Sequence, residues 1–196
     1  MVTLLLDSSN TALAVGIEKD GQLIGYTSYE AWQQQSEHMI PEIDKLMENL
    51  HVNRQDIGGI ICSIGPGSYT GVRIAVVIAK MIGAMNNIKV YEFSTLSLIA
   101  SSVDTESYPL IDARRGNAYL SHFDKDLNRL MDDEVVNVNE FFNGKNKELI
   151  VESGLPNPIK LINSKEVKLV EDIDKLSPNY IQLVEAERIR RGLQWL

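Results

Sequence analysis

The fold is decided by the stretch IICSIGPGSYTGVR, which occupies residues 60–73. Its first four residues are β-branched or small and predict a strand, and the glycines and proline after them predict a sharp turn. Ser68 and Thr70 are favourable N-cap residues, so a helix is expected to begin there and run to about Met85. Two interpretations of the turn stay open: a plain packing turn, or a helix N-terminus that receives an anion. No Gly-Lys-Ser/Thr follows, which excludes a Walker A loop.

The predicted helix is apolar on almost every side, and only Arg73 and Lys80 carry charge. Small residues recur at every fourth position and form a smooth stripe that another backbone can approach closely. They are Gly71, Ala75, Ala79 and Gly83. Each large apolar side chain left exposed on such a helix forgoes roughly 1.5–3 kcal/mol. The sequence therefore predicts either complete internal burial or a protein interface along this helix.

Composition and charge narrow the class of protein. The 196 residues include 27 acidic and 19 basic side chains, and the net charge of −8 argues against a chain that grips nucleic acid by itself. Cys62 is the single cysteine, which excludes an internal disulfide and fits a reducing compartment. The first residues lack the basic region of a secretory signal, and no stretch reaches the roughly 18 apolar residues of a membrane span. We therefore expect a cytoplasmic protein that does not contact a membrane.

The order of predicted elements indicates the fold class. Periodicity and turn residues predict strands near 2–6, 13–17 and 23–29, a helix over 37–50, a strand at 57–63, the helix already described, a strand at 89–93 and a further helix. This βββαβαβα order resembles the N-terminal lobe of the actin, sugar-kinase and heat-shock ATPase (ASKHA) superfamily. In that superfamily the turn between the first two strands holds phosphate, and residues 7–11 occupy this turn here.

A second, reduced α/β lobe is expected to follow. The small and polar residues near 101–107 predict the boundary between the lobes. We expect an N-terminal lobe over residues 1–104 and the smaller lobe over 105–179. The C-terminal segment, about 180–196, is expected to pack back on the first lobe.

Two acidic residues are the candidates for chemistry. Asp7 and Asp112 each follow an apolar strand into a polar turn, where two lobes could face each other across a cleft. Such a pair positions water or magnesium near phosphates, and the alternative is that each carboxylate caps its turn. His38, His51 and His122 lack zinc-ligand spacing. The candidate nucleotide-binding residues are Asp7, Ser8, Asn10, Thr11, Gly65, Gly67, Ser68 and Asp112.

Several segments occur in an order that resembles one family. They are LDSS at 6–9, GPGSYTGVR at 65–73, DARRGNAY at 112–119, and YIQ at 180–182 followed by EAE at 185–187. Together they resemble the bacterial TsaB (YeaZ) family of tRNA threonylcarbamoyladenosine biosynthesis proteins, over essentially the whole chain.

The resemblance implies a non-catalytic scaffold or activating subunit. Members of the family pair with the transferase TsaD through helices of the N-terminal lobe, and the pair recruits the ATPase TsaE. The assembly transfers threonylcarbamoyl to adenosine 37 of tRNAs that read codons beginning with A. TsaD carries a His-x-x-x-His metal motif, and Thr95 and Ile99 stand at the matching positions here. The resemblance therefore implies no metal and no required cofactor, with ATP or ADP bound weakly or shared with a partner.

The resemblance also implies a pairing surface and contact with tRNA only through the complex. The apolar face of the predicted helix indicates a homodimer when TsaD is absent. The expected interface residues are Met39, Ile43, Met47, Gly71, Ile74, Ala75, Ile78, Ala79, Ile82 and Gly83. Two enzymatic alternatives remain: a small-molecule phosphotransferase or ATPase acting through Asp7 and Asp112, and a peptidase, a label carried by this branch of the superfamily. The arginines Arg188, Arg190 and Arg191 are expected to lie on a solvated helix face, with an RNA contact as the alternative.

Overall fold

The computed structural model describes residues 1–31 and 33–181. The expectations for Arg188, Arg190 and Arg191, and for most of the segment 180–196, therefore lie outside the described residues. The strands are β1 (Val2–Asp7), β2 (Ala12–Lys19), β3 (Gln22–Glu30), β4 (Ile57–Ser63), β5 (Lys89–Phe93), β6 (Tyr108–Arg114), β7 (Asn117–Phe123), β8 (Arg129–Asn137), β9 (Ile150–Val151) and β10 (Lys168–Leu169). The helices are α1 (Gln35–Asn49), α2 (Gly71–Asn86), α3 (Thr95–Ala100), α4 (Val138–Phe141) and α5 (Pro158–Ile162). Among the described helices, none has both the length and the apolar character needed to cross a membrane.

Six strands form the first sheet, in the order β10-β5-β4-β1-β2-β3. β1 runs antiparallel to β2, with Leu4 opposite Ile17, and parallel to β4, with Leu4 opposite Ile60. β4 and β5 are also parallel, and α2 connects them. From β1 to α3 the elements follow the predicted βββαβαβα order, which confirms the predicted α/β fold class of the actin-like superfamily.

Strand β1, in the middle of the first sheet, is buried on both faces, as its unbroken apolar run predicts. Leu4 and Leu6 lie in a core that also contains side chains of α1 and α2. Leu5 points the other way, into a second core with Phe93 and with Leu96 of α3. Each of these leucines contributes roughly 1.5–3 kcal/mol relative to an exposed position. Helices α1 and α2 therefore cover one face of the sheet, and α3 with the second sheet covers the other.

The second sheet has the order β8-β7-β6-β9 and a small core of its own, formed around Leu120 and Phe142. The structure corrects the expected end of this lobe at residue 179. β10 pairs antiparallel with β5, and Leu176 lies in the core beneath α1 and α2. The N–H of Asn179 donates to the carbonyl of Ile64 at 2.7 Å. Because these contacts are made with β5, with Ile64 just after β4 and with the core beneath α1 and α2, residues 168–179 belong to the first lobe.

Candidate functional site

Asp7 ends β1 and organises the turn that follows it. The residue is 7% exposed, and its Oδ1 accepts hydrogen bonds from the N–H of Ser9 at 3.0 Å and from the Ser9 hydroxyl at 2.6 Å. The Ser63 hydroxyl at the end of β4 donates to the same oxygen at 2.5 Å. Three donors on one oxygen hold the carboxylate inside the turn and join the turn to β4. Asp7 therefore stabilises the β1–β2 turn through these buried hydrogen bonds.

Ser8 connects the same turn to α2. Its buried hydroxyl donates to the carbonyl of Gly71 at 2.8 Å and accepts from the N–H of Ala75 at 3.1 Å. These two backbone groups are the pair that an α-helix joins in its first turn. One hydroxyl thus fixes the beginning of α2 against the end of β1.

The glycine loop, residues 65–71, packs against this turn backbone to backbone. The N–H of Ser68 donates to the carbonyl of Ser9 at 2.7 Å. A Cβ atom added at Gly67 would collide with the carbonyl oxygen of Ser9, and one added at Gly71 would collide with that of Ser8. Only glycine permits this approach of two backbones.

The donors at the start of α2 already have partners within the protein. The N–H of Gly71 donates to the Ser68 hydroxyl at 3.3 Å, and the N–H of Val72 donates to the Ser68 carbonyl at 3.0 Å. Thr70 is the N-cap residue, but its side chain accepts no capping hydrogen bond. Gly65, at φ +100°, accepts at its carbonyl from the N–H of Thr95 at 2.9 Å. Of the two interpretations of the loop, this geometry favours the packing turn over the anion site.

A cleft of about 540 Å³ lies between the β1–β2 turn and the second sheet. It is lined by Asn10, Leu110, Ile111, Asp112, Arg114 and Glu152. The structure thus brings together Asn10 and Asp112 of the predicted nucleotide site, whereas Asp7 is buried in its turn. Asp112 is exposed, and its Oδ1 accepts from the N–H of Arg114 at 2.7 Å, which is the turn-capping role left open above. The N–H of Thr11 donates to Asn10 Oδ1 at 2.9 Å, also within the turn.

Two further side chains, one lining the cleft and one supporting the turn beside it, were not among the predicted site residues. Arg114 belongs to the quoted segment 112–119 and lines the cleft. Its backbone is left-handed, at φ +68°, and the sequence did not predict this conformation. Gln35 at the start of α1 donates through Nε2 to the carbonyl of Asn10 at 3.1 Å and so supports the β1–β2 turn. A contact between residues 25 positions apart has no local sequence signature.

No metal-binding group is found within residues 1–31 and 33–181, where three or more His, Cys, Asp or Glu side chains nowhere converge. Cys62 is fully buried in β4, and burial raises the pKa of its thiol to about 12. The thiolate, the reactive form of cysteine, is therefore disfavoured.

The predicted stripe on α2 faces the protein interior. We call Gly71, Ala75, Ala79 and Gly83 the inner stripe; all four are buried, and Ala79 is 0% exposed. A Cβ atom added at Gly83 would collide with Val90 of β5. The prediction that the inner stripe lines a partner surface is therefore wrong, because small residues here let α2 approach its own sheet.

The other predicted interface residues lie largely inside as well. Those on α1 point into the first core with the sheet residues, as the apolar periodicity of that helix requires. Buried are Met39, Ile43, Met47 and Ile78, and half-buried are Ile74 and Ile82.

The opposite side of α2 is exposed and apolar. We call Arg73, Val77, Met81 and Met85 the outer row, because they recur every fourth residue and share one side of the helix. Val77 is 59% exposed, Met81 46% and Met85 78%. Ile40 on the neighbouring helix α1 is exposed too. Three of the four residues of the outer row are therefore exposed apolar side chains, and Arg73 is its single charged residue.

Comparison with known proteins gives a family match and several relatives. A family model described as TsaD, tRNA N6-adenosine threonylcarbamoyltransferase, matches residues 25–174. The tRNA threonylcarbamoyladenosine biosynthesis protein TsaB of Bacillus subtilis is 28% identical over 222 residues, covering 95% of this chain and 96% of the relative. The protein of the same description from Escherichia coli is 26% identical over 133 residues, covering 65% of this chain and 57% of the relative.

Two solved structures from Pseudomonas aeruginosa are similar in fold. YeaZ superposes with a TM-score of 0.73 at 16% identity, covering 91% of this chain and 99% of that chain. An uncharacterized protein with similarity to peptidase YeaZ superposes with a TM-score of 0.77 at 17% identity, covering 92% and 99%. At these identities the likeness concerns the fold, and it agrees with the predicted fold class.

Proposed function

The chain belongs to the TsaD family, and we propose that it is a non-catalytic scaffold or activating subunit in the synthesis of threonylcarbamoyladenosine in tRNA. It pairs with TsaD through α1 and α2, and the pair recruits the ATPase TsaE. The assembly modifies adenosine 37 of tRNAs that read codons beginning with A. The names of the relatives from Bacillus subtilis and Escherichia coli support the pathway.

The exposed outer row is the observation that carries the pairing. Val77, Met81 and Met85 stand on a helix that is otherwise packed into the core. Covering them with apolar partner atoms contributes up to roughly 1.5–3 kcal/mol for each side chain. Neighbouring exposed apolar side chains of this kind are typical of protein interaction surfaces. Because the outer row runs along one side of a helix, it fits a helical partner face packed as ridges into grooves.

The non-catalytic role is supported by the residues at two positions. Thr95 and Ile99 stand where the resemblance places the metal-binding histidines of TsaD. The Asp7 carboxylate, the candidate for phosphotransfer, is held by three hydrogen-bond donors beneath its turn. We therefore propose that the chain requires no cofactor, and that ATP or ADP at the cleft of Asn10 and Asp112 is shared with a partner.

Contact with tRNA runs through the complex. The net charge of −8 disfavours direct binding of a polyanion, because affinity for nucleic acid rests on neutralising phosphates with basic side chains. When TsaD is absent, a second copy of this chain covers the outer row. The homodimer and the heterodimer therefore compete for one surface.

A leave-one-out reconstitution tests the proposed function. Each reaction contains TsaD, TsaE, the threonylcarbamoyl-adenylate synthetase, threonine, bicarbonate, ATP and unmodified tRNA, and mass spectrometry measures threonylcarbamoyladenosine. We expect modification to collapse without this chain and to return when the chain is added. The Met81→Glu variant should fail to restore it, whereas Leu130→Glu, at an exposed apolar position on β8, should restore it.

Equal modification with and without the chain would contradict the proposal. Nucleotide binding by the isolated chain, and its loss on changing Asn10 and Asp112, would then support the phosphotransferase alternative.

A further inference from the structure

The guanidinium of Arg73 is held between two tyrosines at the N-terminal end of the outer row. Its Nε donates to the Tyr180 hydroxyl and its Nη2 donates to the Tyr69 hydroxyl. Its Cζ lies 4.0 Å from the ring centre of Tyr69 and 5.5 Å from that of Tyr180. The two rings are themselves 5.0 Å apart. Tyr69 and Tyr180 therefore fix the position of a side chain that is normally mobile.

Arg73 nevertheless keeps unused binding capacity. The side chain is exposed, and within residues 1–31 and 33–181 no carboxylate forms an ion pair with it. A guanidinium has five N–H donors, and the tyrosine hydroxyls take two of them. Lys80, the other cation of α2, donates instead to the backbone carbonyls of Asp174 and Leu176 at 2.8 and 3.1 Å. Arg73 is thus the cation of α2 that remains available to a ligand.

The surroundings of Arg73 determine which anion it fits. Val77 follows one turn later on the same side, and Met81 follows Val77, so the cation is continuous with an apolar surface. The helix Gly71–Asn86 contains no acidic residue, although the chain as a whole carries a net charge of −8. A single cation on an acidic chain is poorly suited to RNA, whereas a protein partner can cover methionine and valine and supply one carboxylate.

We infer that Arg73, positioned by Tyr69 and Tyr180, binds a carboxylate of the partner protein and thereby fixes how that protein lies along the outer row. The inference rests on the proposed pairing with TsaD and adds the residue that gives the pairing its orientation. Because the side chain is ordered before binding, little conformational entropy is lost when the ion pair forms. Tyrosine and arginine are also the residue types that dominate the binding energy of protein interfaces.

The test compares Arg73→Gln with Arg54→Gln in binding to TsaD, measured by isothermal titration calorimetry with the full chain. Arg54 is exposed too, but it lies before β4 and pairs with Asp44 at 2.8 Å. We expect Arg73→Gln to weaken binding by about tenfold or more, and Arg54→Gln to leave it unchanged. The loss should shrink as NaCl rises from about 50 mM to about 500 mM, since salt screens the ion pair. Both variants should unfold at the wild-type temperature, which separates a binding role from a structural one.

The outcomes distinguish this inference from the proposed function. If the wild-type chain does not bind TsaD, the proposed pairing fails and the inference fails with it. If the wild type binds and Arg73→Gln binds equally well at both salt concentrations, the pairing stands and the inference alone is overturned. It is also overturned if Arg73→Gln leaves TsaD binding intact and instead lowers tRNA binding or dissociates a homodimer in analytical ultracentrifugation.

Discussion

The two sides of α2 are built from different residues for different neighbours. The inner stripe is small and buried, and it brings the helix backbone against the first sheet. The outer row consists of larger side chains that are exposed, and no helix or strand among the described residues covers them. Both sides repeat every fourth residue, so periodicity alone does not separate them. The difference teaches that the small residues of a helix lie where its backbone packs closely against its own sheet. The large exposed residues lie on the side that is available to a partner protein.

The inner stripe should not tolerate a charge. Ala79→Glu places a carboxylate where the native side chain is 0% exposed, without a partner. An unpaired buried charge costs roughly 3–5 kcal/mol, a large part of the about 5–15 kcal/mol that stabilises a domain. We expect the variant to unfold in urea at a much lower concentration or to be insoluble, as measured by circular dichroism. Ala84→Glu, at an exposed position of the same helix, should change the free energy of unfolding by no more than about 0.5 kcal/mol. Equal stability of the two variants would show that the inner stripe is not packed.

A single methyl group tests the close approach at the start of α2. Gly71→Ala forces a Cβ atom into the carbonyl of Ser8, and overpacking of this kind costs about 1–3 kcal/mol. The matched control is Gly59→Ala in β4, where the added Cβ atom would lie 3.6 Å from Thr3. Urea denaturation should show a loss of stability for the first variant and little change for the second. A wild-type midpoint for Gly71→Ala would mean that the glycine loop can move away from the β1–β2 turn.

The reactivity of Cys62 measures how tightly the core beneath the inner stripe is closed, and no mutation is needed. Burial, and to a lesser degree the charges of Glu92 and Asp7, raise the pKa of its thiol to about 12. Because the folded state holds the proton more tightly than the unfolded state, this contribution to stability is complete below the ordinary thiol pKa and is lost as the pH rises toward about 12. At about pH 8 we expect native protein to react with iodoacetamide much more slowly than protein unfolded in urea. Mass spectrometry measures the rate of alkylation in each state. Equal rates in the native and unfolded states would show that the core beneath α2 opens freely.

The fold was accessible from sequence because local signals agreed with it. The apolar run of β1 and the break at residues 65–71 each placed an element correctly. The return of residues 168–179 to the first sheet was not accessible, since β10 has only two residues and pairs with a strand far away in the chain.

The candidate sites were predicted less completely. Asp7 and Asp112 share a sequence context, a carboxylate after an apolar strand, yet one is buried among hydroxyl donors and the other is exposed at the cleft. Asp7 accepts from Ser63 of another strand as well as from Ser9 of its own turn, and the contact with Ser63 has no local sequence signature. The stripe of Ala75 and Ala79 was correctly recognised as a surface of close contact, but its neighbour proved to be the sheet. The small residues of the stripe indicate that something packs closely against it, but only the fold shows that this neighbour is the first sheet.

The most direct measurement is the affinity of the chain for TsaD with a charge on the outer row. Met81→Glu should leave the unfolding temperature unchanged, because Met81 is exposed in the free chain. It should weaken binding by about thirtyfold or more, since burying an unpaired charge in an interface costs roughly 2 kcal/mol or more. Leu130→Glu adds the same charge at an exposed apolar position on β8 and should bind as the wild type does. Wild-type affinity of Met81→Glu for TsaD would contradict the account, because the outer row would then not be the surface that pairs.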